Sequence, residues 1–252
     1  MDPSMKAMIL AAGLGTRLRP LTGTRPKALV ELAGRTLLEI TLTRLRTFGI
    51  TEVIVNVHHF ADQVIDYLKS HKNFGLRIEI SREDILLDTG GGLKKAAWFF
   101  LEDPHRLDEP FLLHNVDVIS TIDFARMLQF HKEHHALATL AVQSRNSSRP
   151  LLFDDHHQLR GRLMEGHSPL PEPTEPSPLQ SLAFSGIHLI SPRLLPLLTE
   201  EGVFSIIPSY LRLAAQGQKI LAFRSDQYYW RDLGRPSDLA QAALDSQQNA
   251  FL

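Results

Sequence analysis

Cysteine is absent from the 252-residue sequence. That absence excludes disulfide staples, zinc–thiolate centres and cysteine nucleophiles together. Also absent is any apolar run near the ~18 residues that a membrane span requires. Nor is one sign of charge in excess: 27 Lys and Arg face 28 Asp and Glu, a formal net charge of -1. This excludes a bulk positive field for gripping a nucleic-acid backbone and leaves only local basic pockets. The first residues lack the basic end, apolar stretch and small-residue cleavage site of a secretory signal. Together these absences point to a cytoplasmic protein with neither nucleic acid nor membrane as partner. What is present is a globular composition, 43% hydrophobic and 22% charged, at a length that suits one large domain.

Hydrophobic patterning divides the chain. Strands are expected at Lys6–Leu10, Glu52–Val57, Leu76–Ile80, Pro110–Asn115 and Ala136–Val142. Helices are expected between them at Thr36–Phe48, Ala61–His71, Gly90–Leu101 (entered through three glycines) and Ile122–His135. Such alternation predicts an α/β fold with a Rossmann-like, mostly parallel mixed sheet flanked by helices. After Val142 the rhythm changes. Short strands are expected at Leu151–Phe153, Gln158–Leu163, Ser181–Ile190, Lys219–Phe223 and Tyr228–Trp230, with helices at Leu194–Leu198, Ile206–Ala215 and Pro236–Gln247. Five prolines at 169, 171, 173, 176 and 178 read as a loop or flap, because each lacks a backbone donor. The expected organisation is one domain over 1–252, with a first half at about 5–142, a second half at about 143–235 and a C-terminal helix over 236–252.

The first strand runs into Ala11-Ala12-Gly13-Leu14-Gly15-Thr16-Arg17. Glycines let a backbone approach a ligand closely, and successive amides in such a turn form an anion-binding nest. Arg17 and Arg19 add fixed positive charge, and Lys27 of Pro26-Lys27 is a candidate for the same anion. Neither the Walker A spacing nor the dinucleotide fingerprint fits, since Leu18 stands where the third glycine belongs. The competing reading is a tight turn with solvated basic side chains. Asp117 falls just past the carboxyl end of the strand that closes at Asn115, the edge where open α/β sheets hold ligands. A carboxylate beside polyphosphate acts through Mg²⁺, because bare anions repel; the alternative is an aspartate capping a turn or helix. Three glycines in Asp88-Thr89-Gly90-Gly91-Gly92 can lie flat against a planar base or simply open a helix. Asn56 and His58 stand at a strand end, as site-edge groups or as polar caps. His131 and His135, four apart in a charged and supposedly exposed helix, lack a third metal ligand.

The segments A-A-G-L-G-T-R-L-R-P-L-T and R-P-K-A-L-V resemble the signature of the sugar-1-phosphate nucleotidyltransferases, which join a nucleoside triphosphate to a sugar 1-phosphate and release pyrophosphate. N-V-D at 115–117, W-R-D-L-G at 230–234 and D-T-G-G-G at 88–92 extend the likeness, nearest to N-acetylmuramate-1-phosphate uridylyltransferases and to mannose- and heptose-1-phosphate guanylyltransferases. The resemblance implies a single-domain, glycosyltransferase-A-like fold. It implies that Ala11, Ala12, Gly13, Gly15, Thr16 and Arg17 bind the triphosphate, with Arg17 and Lys27 catalytic. Thr89, Gly90 and Gly91 would contact the base, and Asn115, Ser185 and Gly186 the sugar phosphate. Asp117 and Asp232 would hold one Mg²⁺. UTP is the expected donor, GTP the alternative. Two departures stand out: Val116 replaces a small residue before the aspartate, and the family's acceptor-side lysine is missing between Arg149 and Ser185, where only Arg160 and Arg162 are basic. Both departures would suit a nucleotide-sugar-binding regulatory subunit without turnover.

Overall fold

A computed structural model describes residues 5–164, 167–170 and 178–247. In chain order, β1 is Lys6–Leu10, followed by the small hairpin β2 (Glu31–Leu32) and β3 (Arg35–Thr36). Helix α1 (Leu37–Thr47) starts where the Thr36 hydroxyl accepts from the Glu39 N–H at 3.0 Å, a cap worth about 1 kcal/mol. Then come β4 (Glu52–Val57), α2 (Ala61–Ser70), β5 (Arg77–Arg82), α3 (Asp88–Lys95) and α4 (Ala97–Leu101). Next are β6 (Phe111–Asn115), β7 (Val118–Ser120), α5 (Phe124–Glu133) and β8 (Ala138–Gln143). The second half supplies β9 (Leu151–Phe153), β10 (Leu159–Met164), β11 (His167–Leu170) and the long β12 (Gln180–Ile190). It ends with α6 (Ile206–Ala215), β13 (Ile220–Arg224), β14 (Trp230–Asp232) and α7 (Pro236–Gln247).

The sheet is mixed, as the alternation of patterns predicts. Parallel pairing joins β5 to β4, β4 to β1 and β1 to β6. Strand β12 then runs antiparallel to β6, β8 and β9, and β13 returns parallel to β8. Burial alternates along β1: Ala7 and Ile9 enter one core cluster while Met8 enters the other. Both faces are therefore covered by apolar side chains, each of which stabilises by about 1.5–3 kcal/mol when fully buried. This fixes the strand register and leaves the carboxyl ends of β1, β4 and β6 as one open edge.

Several local expectations are corrected. The glycines at 90–92 do not lead into a helix; they lie inside α3, which breaks at Ala96 before α4. The reason is close packing: a Cβ at Gly91 would run into the Gly202 carbonyl, and one at Gly92 would lie 2.8 Å from Glu83 Oε1. Strand β14 is shifted two residues along from Tyr228–Trp230, because pairing with β7 sets Asp232 opposite Val118. The expected helix at Leu194–Leu198 is a 3-10 segment, Pro192–Leu197, with Pro192 and Pro196 removing donors. Pro169 sits in β11 at the end of the strand order, where a missing N–H is tolerated; Pro171, Pro173 and Pro176 lie outside the described residues. His131 is 2% exposed rather than solvated, and its two ring nitrogens meet Thr139 Oγ1 at 2.9 Å and Ser191 Oγ at 3.0 Å. Burial pulls its pKa down to about 4, so it is a satisfied core histidine.

Helix propensity alone makes Gly91→Ala stabilising by about 1 kcal/mol. Collision with the 202 carbonyl makes it destabilising by about 1–3 kcal/mol. Thermal melting of the variant should fall by several degrees; a higher melting temperature would show that the 202–204 loop yields freely.

Candidate active site

Beyond Leu10, Ala11, Ala12 and Gly13 carry the chain over the open sheet edge. The Ala11 N–H donates to Asn56 Oδ1 at 2.7 Å, and Asn56 Nδ2 donates to Glu83 Oε1 at 2.8 Å. Glu83, 3% exposed, also accepts from the Leu87 N–H at 2.9 Å. This relay ties the ends of β1 and β4 to the segment entering α3, so Asn56 acts as a structural strap and the Ala11 amide is engaged internally. His58 has the same strapping character, with Nδ1 2.9 Å from the Glu83 carbonyl. Ala12 and Gly13 line a cavity of about 440 Å³ together with Lys27, Glu83, Thr89 and Asp117. A Cβ on Gly13 would meet nothing within 4 Å, so its face is open to that cavity.

Gly15 has φ +63 and its missing Cβ would lie 2.9 Å from Thr22 Cγ2. Glycine is required there twice over, by conformation and by space. The following turn, Thr16–Leu18, is anchored by the buried Leu18, leaves Thr16 exposed and sends Arg17 across the site. At Gly234 a Cβ would sit 2.7 Å from both Arg17 Nη2 and Asp232 Oδ1. A glycine at this position therefore lets the guanidinium approach the carboxylate.

The two aspartates come together on the β7–β14 ladder. Asp232 lies opposite Val118, and the Leu233 N–H donates to the Asp117 carbonyl at 2.7 Å. Lys27, on the turn after Pro26, forms an ion pair with the Asp117 carboxylate, and both side chains are nearly buried. Asp232 Oδ1 accepts from the Gly234 N–H at 2.6 Å. Burial, and next the charge of Asp117, raise the Asp232 pKa above the ordinary carboxylate value. Two carboxylates held this way repel each other and call for a cation between them.

A larger cleft of about 1030 Å³ adjoins the first cavity, and Asp88 and Asn115 line both. Asp232, Trp230, Ser185 and Gly186 line the larger one. Gly186, φ +72, occupies a register shift in β12; a Cβ there would lie 2.8 Å from Asn115 Nδ2. The bulge thus sets Asn115 and Gly186 side by side. Ser185 is fully buried and contributes its carbonyl, which accepts from Trp230 Nε1 at 2.7 Å.

Two expectations change. Gly90 and Gly91 are not on the cavity wall: both amides donate to the Phe204 carbonyl, at 2.9 and 3.1 Å, and the 202–204 loop covers them. Only Thr89 of that group lines the cavity, and its hydroxyl also accepts from the Ile206 N–H at 3.0 Å. Val116 does not narrow the space beside Asp117, because its side chain is 2% exposed inside the core cluster. Sequence reasoning missed Arg145. Its guanidinium lies 3.8 Å over the Trp230 ring and its Nη2 donates to the Phe184 carbonyl at 2.7 Å. Arg145 lies outside the interval searched for the missing lysine, and only the fold returns it to the cleft.

With the paired aspartates beside the glycine turn established, comparison with known proteins becomes decisive. The nucleotidyl transferase family profile matches residues 6–151. The chain belongs to this family. N-acetylmuramate alpha-1-phosphate uridylyltransferase of Caulobacter vibrioides is 33% identical over 91% of this chain and 92% of that protein. A mannose-1-phosphate guanyltransferase of Candida albicans is 30% identical over 93% of this chain, which spans 62% of that longer protein. Among solved structures, a UDP-glucose pyrophosphorylase complexed with UDP-glucose superposes with TM-score 0.78, at 16% identity over 98% of this chain and 99% of that one. HddC from Yersinia pseudotuberculosis, complexed with GMP-PN, gives 0.73 at 21% identity, over 96% and 99%. These structures share the nucleotidyltransferase fold, and the resemblance read from the motifs is borne out.

The raised pKa of Asp232 makes a signed stability prediction. A carboxyl whose folded pKa exceeds its unfolded value costs stability when ionised, and the cost fades as pH falls through the folded value toward about 4. Asp232→Asn keeps an oxygen for the Gly234 N–H. In metal-free buffer at pH 8 this variant should melt higher than the wild type, by about 2–4 °C per kcal/mol gained, with the advantage shrinking on acidification. A lower melting temperature at pH 8 would contradict the electrostatic reading.

Proposed function

We propose that the enzyme joins a nucleoside triphosphate, UTP in the first reading, to a sugar 1-phosphate, giving a nucleotide sugar and pyrophosphate with Mg²⁺ as cofactor. The observation that carries the proposal is the meeting of Asp117 and Asp232 where the two cavities adjoin, with Lys27 on one carboxylate and Arg17 beside the other. The smaller cavity, reached by Ala12 and Gly13, suits the nucleotide; the larger, bordered by Asn115 and Gly186, suits the acceptor.

The donor set fits Mg²⁺. Among the described residues no third His, Asp or Glu joins the two carboxylates in a cluster, and Mg²⁺ takes one or two carboxylates and fills its remaining positions with phosphate oxygens and water. Lys27 pairs its ammonium with the Asp117 carboxylate, which supports this carboxylate as one that draws positive charge. When bound, the ion supplies Lewis-acid polarisation of a phosphoryl oxygen and charge neutralisation. The chain's own residues do the rest. An anionic oxygen of the sugar 1-phosphate attacks the α-phosphorus; the new P–O bond forms as the bond to the β-phosphate oxygen breaks, and pyrophosphate leaves with that electron pair. No strong general base is required, because the nucleophile is already ionised. Arg17 and Lys27 neutralise the transferring and leaving phosphates, and Lys27 has donors left after pairing with Asp117. Positioning and electrostatics carry the rate.

UTP is supported by the Caulobacter relative, which this chain matches along 92% of its length. A GTP-using activity is the second reading, supported by the Candida relative. The case for a subunit without turnover weakens: Val116 points into the core, and arginines line the acceptor cleft.

With Mg²⁺, each nucleoside triphosphate and a sugar 1-phosphate panel, pyrophosphate release should be fastest with UTP. Asp117→Asn and Asp232→Asn should each lower kcat by several hundredfold or more, since one lost transition-state contact costs about 3–4 kcal/mol. No release with any pair would refute the reaction, and full activity in either variant would remove that aspartate from it.

A further inference from the structure

The larger cleft carries more positive charge than one phosphate needs. Six arginines line it (17, 145, 149, 162, 231 and 235) against three aspartates (88, 232 and 238). Arg231 is neutralised by Asp245 at 2.9 Å, and Arg17 stands at the reacting end beside Asp232. Arg145 is stacked on the Trp230 ring, and among the described residues Arg149, Arg162 and Arg235 have no carboxylate partner. Outside the cleft, Arg160 pairs with Asp154 at 2.7 Å and Arg224 with Asp226 at 2.7 Å. The contrast within β10 is informative. A register shift between Leu159 and Gly161 separates Arg160, which turns to Asp154, from Arg162, which enters the cleft. Bulges re-aim side chains in this way.

The sheet register gives the position of this pair. Arg162 lies opposite Leu151, and Leu151 opposite Leu182 of β12. Two strand spacings and the three residues from Leu182 to Ser185 put the backbone of Arg162 roughly 14 Å from that of Ser185. Arg162 and Ser185 thus line the same cleft from well-separated positions. Burial, and next the charge of Arg149, lower the Arg162 pKa, so the two cations are close enough to repel. An anion between them turns that repulsion into attraction, and a planar guanidinium can grip a carboxylate or phosphate with two bonds.

We propose that Arg149 and Arg162 form a second anion subsite, and that the acceptor is a sugar 1-phosphate bearing a further acidic group on its carbon skeleton. This rests on the acceptor reading of the larger cleft. The shared chemistry is a carboxylate or a second phosphate at the end of the sugar away from the reacting phosphate.

Two matched acceptor pairs test it, with whichever nucleotide turns over fastest: N-acetylmuramate 1-phosphate against N-acetylglucosamine 1-phosphate for a carboxylate, and glucose 1,6-bisphosphate against glucose 1-phosphate for a phosphate. In at least one pair the acidic member should be preferred in kcat/KM by on the order of 10- to 100-fold, the scale of a hydrogen-bonded charge contact. Arg149→Gln and Arg162→Gln should each bring that ratio down towards one. Ratios near one or below in both pairs for the wild type would overturn the inference, as would a ratio that either variant leaves untouched. The wild-type ratios decide the matter even if a variant fails to fold. Turnover of neutral acceptors without acid preference would sink the inference alone, whereas no pyrophosphate from any acceptor would sink the parent reaction as well.

Discussion

The site depends on one electrostatic constraint: two carboxylates far apart in the sequence, Asp117 and Asp232, are held together where their charges oppose. The β7–β14 ladder and the bond from the Leu233 N–H to the Asp117 carbonyl bring Asp117 and Asp232 together. Lys27 and Arg17 oppose the repulsion, while burial, and next the charge of Asp117, hold the Asp232 pKa above the ordinary carboxylate value. An arrangement that costs stability in isolation would be stabilised by the divalent ion and phosphates of the proposed reaction, so that the charges that strain the fold would serve the chemistry.

The fold provides this by layering. The parallel strands β5, β4, β1 and β6 are buried on both faces, which leaves their carboxyl ends as the one polar edge. The glycine loop leaves from β1, Asp117 follows β6, and Asn56 stands next to the last residue of β4, so three groups converge without long-range coincidence. The antiparallel half supplies what that edge lacks. Strand β12 contributes the bulge at Gly186, and β9 and β10 extend the acceptor wall outward to Arg162. In the proposed reading, the nucleotide side is built from parallel strand ends and the acceptor side from strand faces.

Much of this was legible in the residues. Lys6–Leu10, Glu52–Val57, Ile206–Ala215 and Pro236–Gln247 match the observed elements to the residue, because local periodicity and end signals agree with tertiary packing there. Gly15 reads as opening the backbone to a ligand, whereas its glycine is required by a left-handed turn packed against Thr22. The failures share a cause. Gly90 and Gly91 read as ligand-facing because glycine marks close approach, but the approaching group is Phe204 and Gly202, more than a hundred residues away. Val116 and Arg145 were misplaced or missed because the direction of a side chain depends on pairing partners that spacing does not reveal.

The most direct test of a shared ion is a double-mutant cycle on kcat with Asp117→Asn, Asp232→Asn and the double variant. Groups that serve one ion act as a unit, so their losses do not multiply. The account predicts a double variant no more than a few-fold slower than the slower single. A double variant whose loss is the product of the two single losses would mean that the aspartates work independently, and would contradict the account at its centre.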